Sequence, residues 1–319
     1  MPGEHELVEL FLGKFKGKTS LPIPLGDDVS AWRLGEGRLA VLKVDMLTGR
    51  TDLLPGMSIR QAGWKAMVMA ISDFAAKGVR PLTALVGLGI PRRMVGEAGE
   101  LAEGLKAAAK TYGVKIVGGD TNEAEELTIT VSLFGTCGER EIVSRFGAKP
   151  GDLLAVTGGF GLTGAAFKIL LGGYEVPEPL RHRILRSVYW PRARLNLGLR
   201  LRGLGATSSI DSSDGLAWSI HELSKASKVG FKLHRIPLAE EAGEFAKLHG
   251  LDPFSLAFYG GEEYELVATF DPRIFVGARK DLKRGFKVIG VAVKEREVYF
   301  EGKKGRRMKV EALGWEHFR

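Results

Sequence analysis

Short stretches rich in Val and Leu alternate with helix-forming stretches along most of this chain. Residues 39–47 (LAVLKVDML) and 82–90 (LTALVGLGI) have the composition of buried strands. Residues 58–78 between them have helix-forming composition, and Gly78 is placed to end that helix. This interleaving predicts an α/β fold, to which antiparallel pairs of strands add α+β elements.

The chain divides in two at a Pro-Gly turn. Its 319 residues exceed the size at which one hydrophobic core usually stops growing. A new unit begins with GAKPGDLLAVTGGFGLTGAAFKILL, which combines a turn, a strand, a glycine-rich loop and a helix. We therefore expect one domain over residues 1–147 and a second, α/β domain over residues 148–319.

The composition limits the class of protein. The proportions of hydrophobic residues (45%) and charged residues (26%) are typical of a globular protein, and residues 1–15 are acidic where a signal peptide would be basic. No apolar run approaches the roughly 20 residues that span a membrane. Cys137 is the single cysteine, which excludes an internal disulfide and a multi-cysteine metal site. We expect a cytoplasmic protein with no membrane partner.

The net charge of +8 leaves nucleic acid and acidic metabolites open as partners. The densest basic stretch, residues 303–309 (KKGRRMK), follows the strand-like VYFE. No aromatic residues interleave with its charges, as a platform for single-stranded nucleic acid requires. A solvated hairpin turn is the favoured interpretation, and a basic nucleic-acid-binding protein is the non-enzymatic alternative.

A glycine motif opens the second half. Gly159, Gly161 and Gly164 match G-x-G-x-x-G between a strand and a helix. A dinucleotide site also needs an acid at the end of the next strand, about 20 residues further on. Glu175 and Glu178 at that distance are expected in a Pro-containing loop. A tight strand-to-helix turn, able to approach a phosphate, is therefore the favoured interpretation.

Aspartates end apolar strands or open helices at seven positions, and several are flanked by Gly or Ser. One such acid commonly caps a helix or starts a turn. Carboxylates are also the ligands that Mg²⁺ takes together with substrate phosphates, and bound cations would relieve the repulsion between adjacent acids. The spacing of these aspartates alone supports two interpretations equally. They form a site that binds several metal ions and a phosphate, or they are unrelated helix caps and turn residues. The seven are Asp27, Asp28, Asp45, Asp73, Asp120, Asp211 and Asp214.

Several catalytic patterns are absent from the sequence. It contains no G-x-x-x-x-G-K-[ST] phosphate loop, no protein-kinase set and no G-x-S-x-G serine-hydrolase motif. The six histidines form no H-x-x-x-H pair, so His182 and His221 are interpreted as surface or helix residues. The aspartates are therefore the strongest candidates for chemistry.

Seven short motifs, taken in order, resemble the thiamine-monophosphate kinase family, whose fold is similar to that of aminoimidazole ribonucleotide synthetase. The resemblance covers nearly the whole chain. Each motif is short, but the ordered series is specific. The motifs are GDDVSAW, VDMLTGRTD, WKAMVMAISDFAAKGVRP, VGGDTN, RFGAKPGDLLAVTG, IDSSDGL and GGEEYELV.

This resemblance implies transfer of the γ-phosphoryl group of ATP to thiamine monophosphate, which gives thiamine diphosphate and ADP. It also implies a homodimer in which strands of the first domain join across the two-fold axis. The implied Mg²⁺ ligands are Asp28, Asp45, Asp73, Asp120, Asp211 and Asp214. The implied ATP-binding residues are Gly119, Asp120, Arg145 and Ser213. The implied thiamine contacts are Asp52, Glu262 and Trp315.

The chemistry of such a transfer suits these residues. A phosphate acceptor is mostly dianionic at pH 7, so no general base and no catalytic histidine are needed. Phosphoryl transfer depends mainly on positioning and charge neutralisation, for which Asp120 and Asp211 would act through Mg²⁺ and Arg145 would clamp a phosphate. An ATP-dependent purine-biosynthesis ligase of the same superfamily is the enzymatic alternative.

Three positions depart from the resemblance. Lys43 and Val44 stand where many relatives have Ser-Thr, so two hydroxyl ligands are lost. Lys43 either supplies charge at the phosphates or points to solvent, and solvent is favoured. Glu263 replaces Asp in the motif GEEYEL, which changes the geometry near the substrate, and Ser219 replaces an acid found in some relatives.

Overall fold

A five-stranded sheet with two long helices forms the first half of the protein, in a computed structural model that describes residues 3–15, 21–302 and 305–315. In chain order the elements are α1 (Glu4–Phe15), β1 (Ser30–Gly35), β2 (Arg38–Thr48), α2 (Gly49–Asp52), α3 (Ile59–Ala76), β3 (Pro81–Ile90), a 3₁₀ segment (Arg92–Glu97), α4 (Ala98–Tyr112), β4 (Lys115–Glu123) and β5 (Thr128–Gly138). The strands lie in the order β1-β2-β5-β3-β4.

Helix α3 has sequence signals at both ends. Its N-terminus is a capping box, in which Ser58 Oγ accepts from Gln61 N and the Gln61 side chain accepts from Ser58 N. Gly78 follows the last turn with φ of +69°, a backbone conformation that favours glycine. The predicted helix is thereby confirmed. Asp73 lies near the C-terminal end of α3.

A seven-stranded sheet forms the second half of the described chain. The elements are β6 (Leu153–Thr157), α5 (Leu162–Gly172), α6 (Glu178–Tyr189), α7 (Leu195–Gly198), a 3₁₀ segment (Arg202–Leu204), β7 (Ala206–Asp211), α8 (Leu216–Ser227), β8 (Gly230–Leu233), α9 (Glu240–His249), α10 (Pro253–Phe258), β9 (Leu266–Phe270), α11 (Pro272–Gly277), α12 (Lys280–Lys283), β10 (Phe286–Val293), β11 (Val298–Glu301) and β12 (Arg307–Lys309). The strand order is β12-β11-β8-β10-β6-β9-β7.

The predicted basic hairpin is present between β11 and β12, which pair antiparallel with Tyr299 opposite Lys309. Residues 303–304 of its turn lie outside the described residues. Glu178, in contrast, does not lie in a loop as expected but begins α6. Proline is tolerated in the first turn of a helix because no amide hydrogen is needed there, so Pro179 does not prevent helix formation.

One hydrophobic core is shared by both sheets. It contains Phe74 of α3, Leu133 of β5 and Phe270 of β9, all almost fully buried. The last strand of the first sheet ends at Gly138 and the first strand of the second begins at Leu153. A domain division near residue 147 remains our proposal. No described helix combines the length and apolar character that crossing a membrane would require.

Candidate active site between the two sheets

Three aspartates from distant parts of the sequence meet where the two sheets face each other. Asp28 precedes β1, Asp73 lies in the last turns of α3 and Asp211 ends β7. All three are buried, and one carboxylate oxygen from each lies within 4.8 Å of the others. We call these residues the acidic triad. It is the one group of three or more potential metal ligands found among the described residues.

Crowding and burial shift the titration of the acidic triad. Burial raises the pKa of Asp73 well above its usual value, and the charges of Asp211, Asp45 and Asp28 add to this against the opposing charge of Lys43. Burial and the charge of Asp28 raise the pKa of Asp211 to about 7, against a hydrogen bond of 2.7 Å from Ser72 Oγ. Such a set of hard oxygen ligands fits a divalent cation such as Mg²⁺.

Two protein cations neutralise the adjacent pair Asp27 and Asp28. Lys77 Nζ lies 2.6 Å from Asp27 Oδ1 and 2.7 Å from Asp28 Oδ2, and it donates to Ser209 O at 2.7 Å. Arg145 Nε donates to Asp28 Oδ1 at 2.8 Å. Although burial opposes it, the charges of Arg145 and Lys77 lower the pKa of Asp28. The repulsion that we expected metal ions to relieve is thus already relieved by side chains.

Arg145, the expected phosphate clamp, is held by several groups in this structure. Its Nη1 donates to Gly26 O at 3.0 Å and lies 3.4 Å from Glu222 Oε2, in addition to the bonds with Asp28. About a quarter of its side chain remains accessible. A role in binding ATP therefore requires Arg145 to share or exchange these partners.

Lys43 does not point to solvent, contrary to our expectation. Its Nζ forms an ion pair of 2.8 Å with Asp73 Oδ2. Lys43 and Asp45 are in register with the buried residues Leu133 and Val131, so both face the inner side of the first sheet. The implied metal ligand Asp45 is therefore beside the acidic triad, although it is not one of its three members.

Two of the implied thiamine contacts are joined by a buried lysine. Lys65 Nζ lies 2.6 Å from Glu262 Oε1 and donates to Asp52 O at 3.1 Å. The carboxylate of Asp52 accepts from Thr48 N at 2.8 Å and from Thr51 Oγ1 at 3.0 Å. Asp52 and Glu262, which are 210 positions apart in sequence, are therefore linked through Lys65.

Backbone contacts bring the remaining second-half residues together. Glu262 N donates to Ser213 O at 2.5 Å, and Trp315 N donates to Asp214 O at 3.0 Å. Glu262 has a φ of +60°, which is uncommon for a residue other than glycine and is often found at functional sites. Ser213 is exposed, as contact with a nucleotide would require, and Asp214 lies outside the acidic triad.

A cavity of about 520 Å³ borders this loop cluster. Trp315 and Phe167 lie on its wall with their ring centroids 6.4 Å apart and their planes inclined by 31°. Lys168 and Tyr259 also line it. The cavity thus combines aromatic surface with a cation, which suits a ligand that has both an aromatic ring and a phosphate.

Asp120 lies on the other face of the first sheet. It is in register with Gly87, Gly87 with Thr130, and Thr130 with Met46, which is exposed. Paired residues of neighbouring strands share a face, so Asp120 points away from the side that carries Asp45. Gly119 beside it is required sterically, since a Cβ there would lie 1.9 Å from Val86 O. The structure does not bring Asp120 into the acidic triad.

Glu263 occupies the N-terminus of α5, where the glycine motif ends. Its Oε1 accepts from Gly161 N at 2.6 Å and from Thr163 Oγ1 at 2.9 Å. Gly161 has a φ of +94°, which requires glycine. The favoured strand-to-helix turn is confirmed, but the carboxyl group of Glu263 fills the position where a phosphate would bind.

We expect Glu263→Gln to flatten the pH dependence of stability. Burial raises the pKa of Glu263 well above its usual value, so the folded state holds a proton that the unfolded state releases. Stability from this group is full below the unfolded pKa and is lost as pH rises through the folded pKa. In thermal unfolding, the melting temperature of the variant should rise relative to that of the wild type as the pH increases above about 5 across the neutral range. A constant difference across that range contradicts this expectation.

Sequence reasoning did not find the lysines at this site. Lys65 and Lys77 have almost no exposed side chain, yet both lie within the predicted helix, where composition alone gives no sign of burial. The motif WKAMVMAISDFAAKG did point to this part of the chain, since it contains Lys65, Ser72 and Asp73. Phe167 was missed as well, because a helical phenylalanine is usually a core residue.

Comparisons with known proteins identify the family to which the chain is similar. Residues 26–137 match the family model of the AIR synthase related protein, N-terminal domain. The chain is 33% identical to the thiamine-monophosphate kinase of Nitrosopumilus maritimus (strain SCM1), over 99% of this chain and 98% of that protein. It is 36% identical to the thiamine-monophosphate kinase of Pyrococcus horikoshii, over 99% of this chain and 96% of that protein.

A solved structure of AaThiL complexed with AMPPCP and TMP has the same fold. It superposes with a TM-score of 0.87 at 29% identity, over 99% of this chain and 97% of that one. The expected fold, similar to that of aminoimidazole ribonucleotide synthetase, is confirmed by this match and by the family model. With relatives at 33–36% identity along its whole length, the chain belongs to the thiamine-monophosphate kinase family.

Proposed function

We propose that this protein transfers the γ-phosphoryl group of ATP directly to the phosphate of thiamine monophosphate, with Mg²⁺ as the required cofactor. The observation that carries this proposal is the acidic triad, which joins carboxylates of both halves of the chain in one buried site. Relatives named for this activity, and a related structure that holds an ATP analogue and TMP, support the choice of substrates.

The residues of this chain can orient both substrates. Trp315 and Phe167 would pack against the aromatic part of thiamine, while Asp52 and Glu262 would be held in place by Lys65. Gly119, Asp120, Arg145 and Ser213 remain the proposed ATP-binding residues. Asp28, Asp45, Asp73, Asp120, Asp211 and Asp214 remain the proposed metal ligands.

The buried position of the acidic triad keeps bulk water away from the reacting phosphates and strengthens each charge interaction there. When bound, Mg²⁺ supplies the positive charge that lets two phosphorylated molecules approach. The acceptor phosphate is itself the nucleophile, so the side chains need only position it in line with the γ-phosphoryl group. No described histidine has to serve as a base in this scheme.

The proposed activity is tested by incubating the protein with ATP, Mg²⁺ and thiamine monophosphate and separating the products. The proposal expects thiamine diphosphate and ADP in equal amounts. Release of inorganic phosphate without thiamine diphosphate would overturn it and favour the purine-biosynthesis ligase. Binding to nucleic acid that falls steeply with salt, in the absence of turnover, would favour the non-enzymatic alternative.

We expect Trp315→Ala to weaken substrate binding with little effect on the chemical step. Loss of the aromatic contact with the thiamine ring should raise KM by about tenfold, while kcat stays within a few-fold of the wild type. Steady-state kinetics with varied thiamine monophosphate measure both constants. Leu313→Ala, in the same exposed segment, is the control and should leave KM unchanged. An unchanged KM in Trp315→Ala would refute the proposed stacking.

We also propose that the protein is a homodimer that covers one face of the first sheet. Exposed apolar side chains form a patch there, and neighbouring strands place them side by side. The patch residues are Leu42, Val44, Met46, Leu85 and Phe134, with 36–61% of each exposed. Asp120 lies on this same face, at the outer strand β4. A cytoplasmic location, without nucleic-acid or membrane partners, also stays part of the proposal.

Val44→Asp is expected to convert the dimer into a monomer, because it places a charge at the centre of the apolar patch. Val95→Asp is a matched control, since Val95 is also 61% exposed but lies in the 3₁₀ segment before α4. Light scattering coupled to size exclusion gives the mass of each. A monomeric wild type, or a dimeric Val44→Asp variant, would contradict the proposed interface.

A further inference from the structure

Lys43 is fixed among the acids of the candidate active site. Its Nζ lies 2.8 Å from Asp73 Oδ2, and only about a fifth of its side chain is exposed. Asp45 is two residues further along the same strand and faces the same side of the sheet. The ammonium group is therefore paired with one carboxylate proposed as a metal ligand and lies on the same face of the sheet as a second, Asp45.

The surroundings keep Lys43 positively charged. A lysine ammonium is charged at neutral pH, and the ion pair of 2.8 Å with Asp73 Oδ2 favours that form. The group is thus a monovalent cation. It is attached to the strand and cannot dissociate as a metal ion can.

Two other basic residues, both bonded to Asp28 of the acidic triad, are already engaged. Lys77 and Arg145 are bonded to Asp27 and Asp28. Among Asp45, Asp73 and Asp211, Asp73 is paired with Lys43, while the structure shows no ion pair between Asp45 or Asp211 and a described basic residue. When both are ionised, these two carboxylates match the charge of a single divalent cation.

The residue types agree with this distribution of charge. A serine at position 43 would offer a hydroxyl oxygen that could ligate a metal. Here Lys43 offers a cation on the inner face, and Val44 points to the exposed apolar face. The inner face therefore carries a positive charge where a serine would offer a neutral ligand.

We propose that the Lys43 ammonium takes the place of one divalent cation at this site, so that the protein binds one divalent cation fewer than it would with a neutral residue 43. This inference rests on the proposed function, since it assumes that the acidic triad binds metal. Lys43 acts here as a positioning residue, because it works through the carboxylates of Asp73 and Asp45.

Mn²⁺ binding to the intact protein tests this directly. Free and bound Mn²⁺ are counted by electron paramagnetic resonance in the presence of AMPPCP, for the wild type, Lys43→Ser and Lys43→Arg. The expected result is one additional bound Mn²⁺ per chain in Lys43→Ser and no change in Lys43→Arg, which keeps the charge. Lys106→Ser, which removes an exposed lysine of α4, is the matched control and should bind as the wild type does.

Thermal unfolding gives a second measurement, which can be made even if Lys43→Ser is less stable than the wild type. Lys43→Ser leaves Asp73 without its ion pair, so its melting temperature should fall without metal and rise more steeply with Mn²⁺ than that of the wild type. Equal Mn²⁺ counts and equal Mn²⁺-dependent shifts in the two proteins would overturn the role of Lys43 alone. A wild type that binds no Mn²⁺ would instead overturn the metal role in the proposed function.

Discussion

Asp211→Asn should reduce turnover by about 10³-fold or more while leaving the protein folded. Asp211 is a buried member of the acidic triad, and the substitution removes charge from the site where two polyanions must meet. The amide has nearly the same shape, and its oxygen can still accept the hydrogen bond from Ser72 Oγ. Loss of one of three crowded carboxylates also reduces repulsion in the metal-free protein.

Two measurements distinguish this loss from misfolding. The melting temperature of metal-free Asp211→Asn should equal or exceed that of the wild type, and Mg²⁺ should no longer raise it as much. Asp152→Asn is the matched control, since Asp152 is equally buried in the second half but accepts from Lys149 N and Thr207 Oγ1, apart from the triad. Turnover of Asp211→Asn within a few-fold of the wild type would show that this carboxylate does not take part.

Lys77→Met should cost about 3–5 kcal/mol of stability, the largest structural effect that we expect from one substitution. Lys77 is fully buried and pairs with both Asp27 and Asp28, and it also bonds to Ser209 O of β7. Its loss leaves two buried carboxylates with Arg145 as their remaining charged partner and removes a link between the two sheets. Denaturant unfolding gives the change in free energy.

A double variant separates the charge effect from the loss of packing. Asp27→Asn added to Lys77→Met removes one of the two uncompensated charges, so part of the lost stability should return. Lys106→Met, on the surface of α4, should change stability by less than about 0.5 kcal/mol. A Lys77→Met variant as stable as the wild type would show that the ion pairs of Lys77 do not stabilise the adjacent carboxylates of Asp27 and Asp28.

The strands and helices with regular hydrophobic patterns were predictable from sequence. β5 alternates between buried and more exposed residues, as a half-buried strand does, and α3 carries a capping box at one end and Gly78 at the other. Helix α6 was not predicted, because Pro177 and Pro179 at its start also occur in loops. A local sequence signal therefore predicts a helix or a strand only where that signal is typical of one kind of structure.

The sequence predicted which acidic residues form the candidate site, but not which basic residues pair with them. The aspartate pattern included all three members of the acidic triad, since Asp211 ends a strand, Asp73 follows a serine and Asp28 is one of two adjacent aspartates. Which cation faces which acid depends on contacts between separate segments of the chain, such as Arg145 with Asp28. Lys43 was wrongly assigned to solvent for this reason, because its partner Asp73 lies on another element.

Asp120 shows a different limit of prediction from the sequence. Its motif suggested a place among the metal ligands, but the strand register directs it to the face that carries Val44 and Met46. In the proposed dimer a second chain would cover that face. The role of Asp120 as a ligand remains a prediction.

Anomalous scattering from crystals grown with Mn²⁺, AMPPCP and thiamine monophosphate would locate the divalent cations directly. If the acidic triad brings the two substrates together, a Mn²⁺ peak lies at coordination distance, about 2.1 Å, from carboxylate oxygens of Asp73 or Asp211 and also contacts a phosphate oxygen. Peaks found only at other acids, with both phosphates remote from Asp73 and Asp211, would contradict this.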